Sequence, residues 1–160
     1  MTIQIGAPAP LFCLLDQNAA LVSANQFLGQ WLVIYFYPKA STPGCTVQAC
    51  GLRDSDMQLA SLGVQVVGIS PDSPAKLKKF ALAQNLSFPL LSDESHEVAE
   101  SFGVWNLKKF MGKTFMGIVR TTFVVDPDGN LASILEGFKT ATHHELVIAK
   151  VKQLQDIQNQ

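Results

Sequence analysis

The sequence predicts an α/β fold with a central mixed β-sheet flanked by helices, and three stretches carry that expectation. Trp31-Leu32-Val33-Ile34-Tyr35-Phe36-Tyr37 is an apolar run rich in β-branched and aromatic residues. It lacks alternation, as in a strand buried on both faces of a sheet. A helical pattern and a second apolar run, Val64 to Ser70, follow it and complete a strand-helix-strand unit with parallel strands. Arg120 to Val125 and Leu131 to Leu135, joined by Asp126-Pro127-Asp128-Gly129-Asn130, read as a hairpin, which makes the sheet mixed.

The other elements follow in order. Residues 1 to 30 are a lead-in, with Gly6-Ala7-Pro8-Ala9-Pro10 irregular. Phe12-Cys13-Leu14-Leu15 and Ala20-Leu21-Val22, around Asp16-Gln17-Asn18, predict a small N-terminal hairpin extension. Phe27-Leu28-Gly29 closes a turn before the central strand, and Pro38 ends that strand. Thr42 as N-cap and Pro43 at the first helical position open a helix that runs to about Leu62, before Gly63. Ser73 and Pro74 open another, with Leu77, Phe80 and Leu82 among its apolar positions. Leu86 to Ser92 is a short strand whose Pro89 places it at an edge. Ser95 to Phe102 is a brief helix ending at Gly103, and residues 103 to 118 form a looser segment, a lid over the core. Thr142-His143-His144-Glu145 matches a capping box and starts a final amphipathic helix through about Gln155.

Composition narrows the function. A chain of 160 residues, 48% hydrophobic and 16% charged, suits one globular domain over residues 1 to 160. Its net charge of -1 provides no basic field for a nucleic acid or an anionic membrane surface, so neither partner is expected. Met1-Thr2-Ile3-Gln4-Ile5-Gly6 has no charged and apolar leader pattern, which points to the cytoplasm. Three cysteines, an odd count without zinc or structural-disulfide spacing, suit a reducing compartment with reactive thiols. Nothing matches a phosphate-binding loop, a dinucleotide fingerprint or an EF-hand, and no cofactor is expected. His143 and His144 are adjacent and His96 stands alone, so all three read as surface or capping residues, not as metal ligands.

Chemistry concentrates in Pro38-Lys39-Ala40-Ser41-Thr42-Pro43-Gly44-Cys45-Thr46-Val47-Gln48-Ala49-Cys50. Cys45 falls in the first turn of the predicted helix, where unpaired backbone N–H groups and the helix dipole favour an anion. That makes it a candidate thiolate nucleophile. Position alone equally allows a small core residue. Cys45 and Cys50 are five residues apart, about 140° around a helix, with Cα atoms roughly 8 to 9 Å apart. A disulfide needs Cα atoms within about 6.8 Å, so a bond between them requires the first turns to unwind. Gly44 and Gly51 flank the pair and ease that unwinding. Cys13 sits in the N-terminal apolar patch and reads as structural.

The pattern Pro38-x3-Thr42-x2-Cys45 resembles the active-site signature of peroxiredoxins. Its continuation, Thr46-Val47-Gln48-Ala49-Cys50-Gly51-Leu52-Arg53-Asp54, is similar to the bacterioferritin comigratory protein (PrxQ) subfamily. The resemblance extends over Gly68-Ile69-Ser70, Leu91-Ser92-Asp93, Phe102-Gly103-Val104-Trp105, Phe110-Met111-Gly112-Lys113 and Gly117-Ile118-Val119-Arg120. It implies a thioredoxin fold and a peroxidase in which Cys45 attacks a hydroperoxide and becomes a sulfenic acid. Thr42 would hydrogen-bond the peroxide, Pro38 would shield the sulfur, and Arg120 would lie beside thiolate and substrate. Cys50 would resolve the sulfenic acid as an intramolecular disulfide, re-reduced by thioredoxin or a similar dithiol, in a monomer. Some of Trp105, Phe110, Met111, Phe115 and Met116 would wall the pocket. Gln48 departs from the pattern, since many peroxiredoxins carry glutamate there.

Other chemistries fit less well. A general disulfide oxidoreductase lacks its Cys-x-x-Cys spacing, and a phosphatase would need an arginine at position 51, which is Gly. A Cu(I) carrier would use the two soft thiols but lacks a placed third ligand. A holdase leaves the Pro38-Thr42-Cys45 pattern without a purpose.

Overall fold

A computed structural model describes residues 3–159. The chain begins with strands β1 (Cys13–Leu15) and β2 (Leu21–Ser23), then β3 (Trp31–Phe36), helices α1 (Pro43–Asp54) and α2 (Asp56–Ser61), and strand β4 (Val64–Ser70). Helix α3 (Pro74–Gln84), strand β5 (Leu90–Ser92) and helix α4 (Glu97–Ser101) come next. Strands β6 (Trp105–Phe110), β7 (Lys113–Ile118), β8 (Thr121–Val125) and β9 (Leu131–Leu135) precede the last helix, α5 (His143–Gln158).

Among the described residues, seven strands form one mixed sheet in the order β2-β1-β5-β4-β3-β8-β9. β3 lies inside it, parallel to β4 from Trp31↔Val64 to Phe36↔Ile69 and antiparallel to β8 from Leu32↔Val125 to Phe36↔Thr121. Successive strand side chains point to opposite faces, so β3 supplies two cores at once. Trp31, Val33, Tyr35 and Tyr37 pack with Leu52 of α1, Leu59 of α2, Phe80 of α3 and Val151 of α5. Leu32, Ile34 and Phe36 pack with Phe12, Phe102 and Phe123 on the other face. Each large side chain buried this way contributes about 1.5–3 kcal/mol. Close packing fixes one residue of the neighbouring strand. A Cβ on Gly68 would lie 2.8 Å from the Tyr35 ring, so the phenol can lie across β4 only at a glycine.

Several expectations need correction. The helix expected to reach Leu62 breaks at Ser55, where Asp54-Ser55-Asp56 is a run of residues whose side chains compete for backbone hydrogen bonds. The break redirects the chain so that Leu52 and Leu59 both reach the core. β5 is not an edge strand, because Pro89 precedes it and β1 joins its outer side through Leu15↔Ser92. Gln17 reinforces that join, donating to Phe88 O and accepting from Leu90 N. Leu82 faces solvent, and Ala81 takes the buried position on α3. Residues 103–118 are no loose lid but a twisted two-stranded hairpin, β6–β7, reversed at Met111-Gly112, where both residues have positive φ. Its outward residues Leu107, Phe110, Met111, Phe115 and Met116 are exposed. The capping box is not formed, since the Thr142 side chain makes no cap bond. Cys13 is exposed on β1, not packed in the apolar patch.

His143 is the largest departure, being fully buried where a surface or capping role was expected. It faces inward from the first turn of α5 and shares a 2.7 Å hydrogen bond between Nε2 and Thr122 Oγ1. Phe138 and Tyr35 pack against its ring. Burial, with smaller contributions from His144 and Arg120, lowers its pKa from 6.5 to about 3. A depressed folded-state pKa leaves this contribution intact above pH 6.5 and removes it as pH falls toward 3, because the unfolded chain alone binds the proton. The wild type should therefore lose about 2 kcal/mol between pH 7 and pH 5 in urea titrations. His143→Asn should flatten that interval; a variant with the wild-type slope would assign the acid sensitivity to other groups.

Candidate active site

The site begins where β3 leaves the sheet. Tyr37 N still donates to Ile69 O at 3.1 Å, and Pro38 then turns the chain, half-buried, toward α1. Asp72, just beyond β4, holds the loop. Its Oδ2 accepts Ala40 N at 2.7 Å and Ser70 Oγ at 2.8 Å, and its carbonyl accepts Ser92 Oγ at 2.6 Å. Ser41 adopts a left-handed φ of 66°, which is strained for a residue with a Cβ and persists because both ends of the loop are tied. Thr42 occupies the N-cap position as expected, but its Oγ1 donates to Lys39 O at 2.8 Å and does not cap the helix. First-turn N–H groups of α1 thus lack a side-chain acceptor, and an anion is favoured there.

Cys45 is buried in that first turn with a free thiol. Arg120 enters between β7 and β8, and its Nη1 lies 3.5 Å from Cys45 Sγ and donates to Gln48 Oε1 at 2.6 Å. The guanidinium lies against the first turn, where a Cβ on Gly44 would meet Arg120 Nη2 at 3.4 Å, an ordinary van der Waals contact. Gln48 is completely buried and supplies the acceptor that the sequence left in question. Lys108 of β6 is also near, with Nζ donating to Ile118 O at 2.8 Å. Burial lowers the Lys108 pKa, as does Arg120, while Cys45 acts in the opposite direction. Beneath α1 the Tyr35 and Tyr37 rings stack with centroids 5.3 Å apart, and burial pushes both phenols well above their usual pKa. They face the thiol as neutral groups.

Cys50 lies on the same unbroken helix, half-buried, with a free thiol that donates to Gln84 Oε1 at 3.4 Å. Cys45, Arg120 and Thr42 are thus gathered at the head of α1, Pro38 bounds the loop that leads to it, and Cys50 stands apart further along the helix. His96 stacks on Trp105 at 4.0 Å, tying the base of the β6–β7 hairpin to the turn before α4, and Phe110 and Met111 at its tip face solvent. Sequence reasoning missed Asp72, Lys108 and Gln84. Asp72 alone had a usable signal, a Ser-x-Asp pattern at the C-terminal end of a buried parallel strand, where α/β folds place their ligands. Among the described residues no group of three or more His, Cys, Asp or Glu could hold a metal ion, and no helix is long and apolar enough to cross a membrane.

Such an arrangement can hold an anionic sulfur against a guanidinium and a helix N-terminus, and can bind a small polar molecule in the same field. Known proteins with this architecture agree in chemistry. The AhpC/TSA family pattern matches residues 5–134. Peroxiredoxin Bcp of Escherichia coli K12 is 51% identical over 151 residues, covering 94% of this chain and 97% of that protein. Peroxiredoxin Bcp of Bacillus subtilis 168 is 42% identical over 156 residues, covering 98% and 99%. A bacterioferritin comigratory protein of Xanthomonas campestris, solved as trapped intermediate and ligand complexes that bear on its alkyl peroxide reduction, superposes with a TM-score of 0.87. It is 30% identical and covers 94% of this chain and 98% of its own. With a thioredoxin fold, a thiol peroxidase chemistry and this extent of likeness, the chain belongs to the AhpC/TSA family, among the peroxiredoxins of the bacterioferritin comigratory protein (PrxQ) type.

Proposed function

We propose that this protein reduces hydrogen peroxide and organic hydroperoxides through Cys45, with Cys50 as the resolving thiol and thioredoxin or a similar dithiol as reductant. The observation that carries this reading is Arg120 Nη1 at 3.5 Å from Cys45 Sγ, at the open end of a helix. Cys45 thiolate attacks the distal oxygen of ROOH, the O–O bond breaks, and RO⁻ leaves and takes a proton to become an alcohol or water. Cys45 is left as a sulfenic acid. Arg120 offsets charge on sulfur and on the leaving oxygen, Thr42 orients the peroxide through its hydroxyl, and Pro38 limits water at the sulfur. Lys108 adds a second cation beside Arg120.

Resolution then requires α1 to open, because the intact helix separates the two sulfurs. Cys50 attacks the Cys45 sulfenic acid, a disulfide forms and water leaves. A dithiol reverses this by exchange, and a reducing cytoplasm supplies such a dithiol. The chain acts as a monomer in this scheme, since both thiols lie on one helix.

Mass spectrometry after one equivalent of hydrogen peroxide tests the cysteine roles. The wild type should show a Cys45–Cys50 disulfide, and Cys50→Ser a trappable sulfenic acid on Cys45. Both thiols unmodified beside a reacting control peroxidase would refute the reading, and a disulfide to Cys13 would reassign the resolving residue. Arg120→Gln should lower the second-order rate constant with peroxide by about 100-fold, as loss of one donor to a developing oxyanion does elsewhere. Stopped-flow measurements giving an unchanged constant would remove Arg120 from the chemistry.

A further inference from the structure

We propose that Gln84 is a positioning residue for disulfide formation, holding the Cys50 thiol in the wound helix through a hydrogen bond that is lost when the disulfide forms. This rests on the reading above, in which Cys50 resolves the Cys45 sulfenic acid.

Gln84 is the last residue of α3 and meets α1 twice. Its side-chain Oε1 accepts the Cys50 thiol at 3.4 Å, and its backbone carbonyl accepts Arg53 Nη1 at 2.7 Å. Cys50 and Arg53 are three residues apart, on one face of α1, so the two bonds form a bracket around the end of α3. Across the helix, α5 lies against Gly51, where a Cβ would fall 2.5 Å from His144 Nδ1. The second half of α1 is therefore gripped from two sides. Its first turn is held through Arg120 on Cys45 and Gln48. Opening of α1 follows this asymmetry, with the Cys45 turn travelling to a Cys50 that stays near α3.

The Cys50–Gln84 bond opposes resolution in two ways. The Cys50 sulfur must leave Gln84 Oε1 before it can reach Cys45, so the bond adds to the barrier. The bond also vanishes with the proton, because Cys45–SOH and Cys50–SH give Cys45–S–S–Cys50 and water. An interaction that needs the Cys50 proton is present in the dithiol and in the sulfenic acid state and stabilises both relative to the disulfide. Gln84 thus sets how long the sulfenic acid survives, and with it how much Cys45 a second peroxide carries on to sulfinic acid. Arg53 keeps its bond to the backbone carbonyl in either state, so a side-chain substitution at position 84 isolates the redox-dependent part.

Gln84→Leu removes the acceptor and leaves the Arg53 bond in place, while Gln84→Glu keeps an acceptor. Rapid-quench measurement of disulfide formation from the Cys45 sulfenic acid should show Gln84→Leu faster by roughly three- to fivefold, the worth of one modest hydrogen bond. Its yield of Cys45 sulfinic acid at a fixed peroxide excess should fall accordingly. The rate of the first reaction with peroxide should be unchanged, and Gln84→Glu, whose carboxylate is the stronger acceptor, should form the disulfide no faster than the wild type. Melting temperature separates this role from general support of the fold: Gln84→Leu should lower that of the dithiol form and leave that of the disulfide form unchanged. Equal losses in both forms, or a wild-type rate of disulfide formation, would overturn the bracket alone. A wild type that forms no Cys45–Cys50 disulfide would overturn the function beneath it as well.

Discussion

The guanidinium of Arg120 joins the sheet to helix α1, and most of the architecture serves to place it. Its Nη1 reaches both Gln48 Oε1 and Cys45 Sγ from the residue just before β8. That reach depends on β8 pairing antiparallel with β3 so that Thr121 stands opposite Phe36, where β3 ends and the loop to α1 begins. Side chains alternate along a strand, so a one-residue slip would carry Arg120 to the opposite face. The burial of β3 on both faces fixes this register, and the cores above and below the sheet thereby act on a single distance at the site.

Gln48 changes the electrostatics of that contact. A carboxylate at this position would orient Arg120 and also neutralise it. An amide oxygen orients the cation and leaves its charge for the sulfur and for whatever binds beside it. Lys108 adds to the same positive field, and burial together with Arg120 disfavours its charged form. In the proposed reaction, charge moves from sulfur to the leaving oxygen, and a fixed cation near both ends of that path stabilises the transition more than either ground state alone.

What the sequence made legible was whatever local chemistry determines. The unalternating run of β3, the limits of β4, the Pro43 start of α1, the Asp126 turn and the Cys45 position all follow from residues within a few places of one another. Asp126 Oδ1 accepting Asp128 N and Asn130 N shows how local such a signal is. Positions decided by distant partners were hidden. His143 became a core residue because Thr122 and Tyr35 converge on it from strands elsewhere in the chain, and Phe138 also packs there. β5 moved inward because the N-terminal hairpin covers its edge, and Asp72 acquired its place from Ala40, 32 residues earlier. Even at Thr42, where the cap position was right, the side chain chose Lys39 O over the helix, since the strained loop at Ser41 brings that carbonyl within reach.

Two demands meet on α1 and explain its composition. In the proposed mechanism, reactivity at Cys45 requires a formed helix, because unpaired N–H groups converge on the sulfur only when the first turn is wound. Any bond between Cys45 and Cys50 requires that same turn to be lost. Prolonged helix propensity would favour the first state and block the second. The sequence places Gly44 and Gly51 around the pair, lowering the intrinsic preference for helix, and restores the wound state through tertiary contacts from Arg120, Gln84 and His144. Contacts of that kind can be released by a change at sulfur, whereas backbone propensity cannot. In the proposed cycle, a helix held together from outside is stable before oxidation and able to open after it.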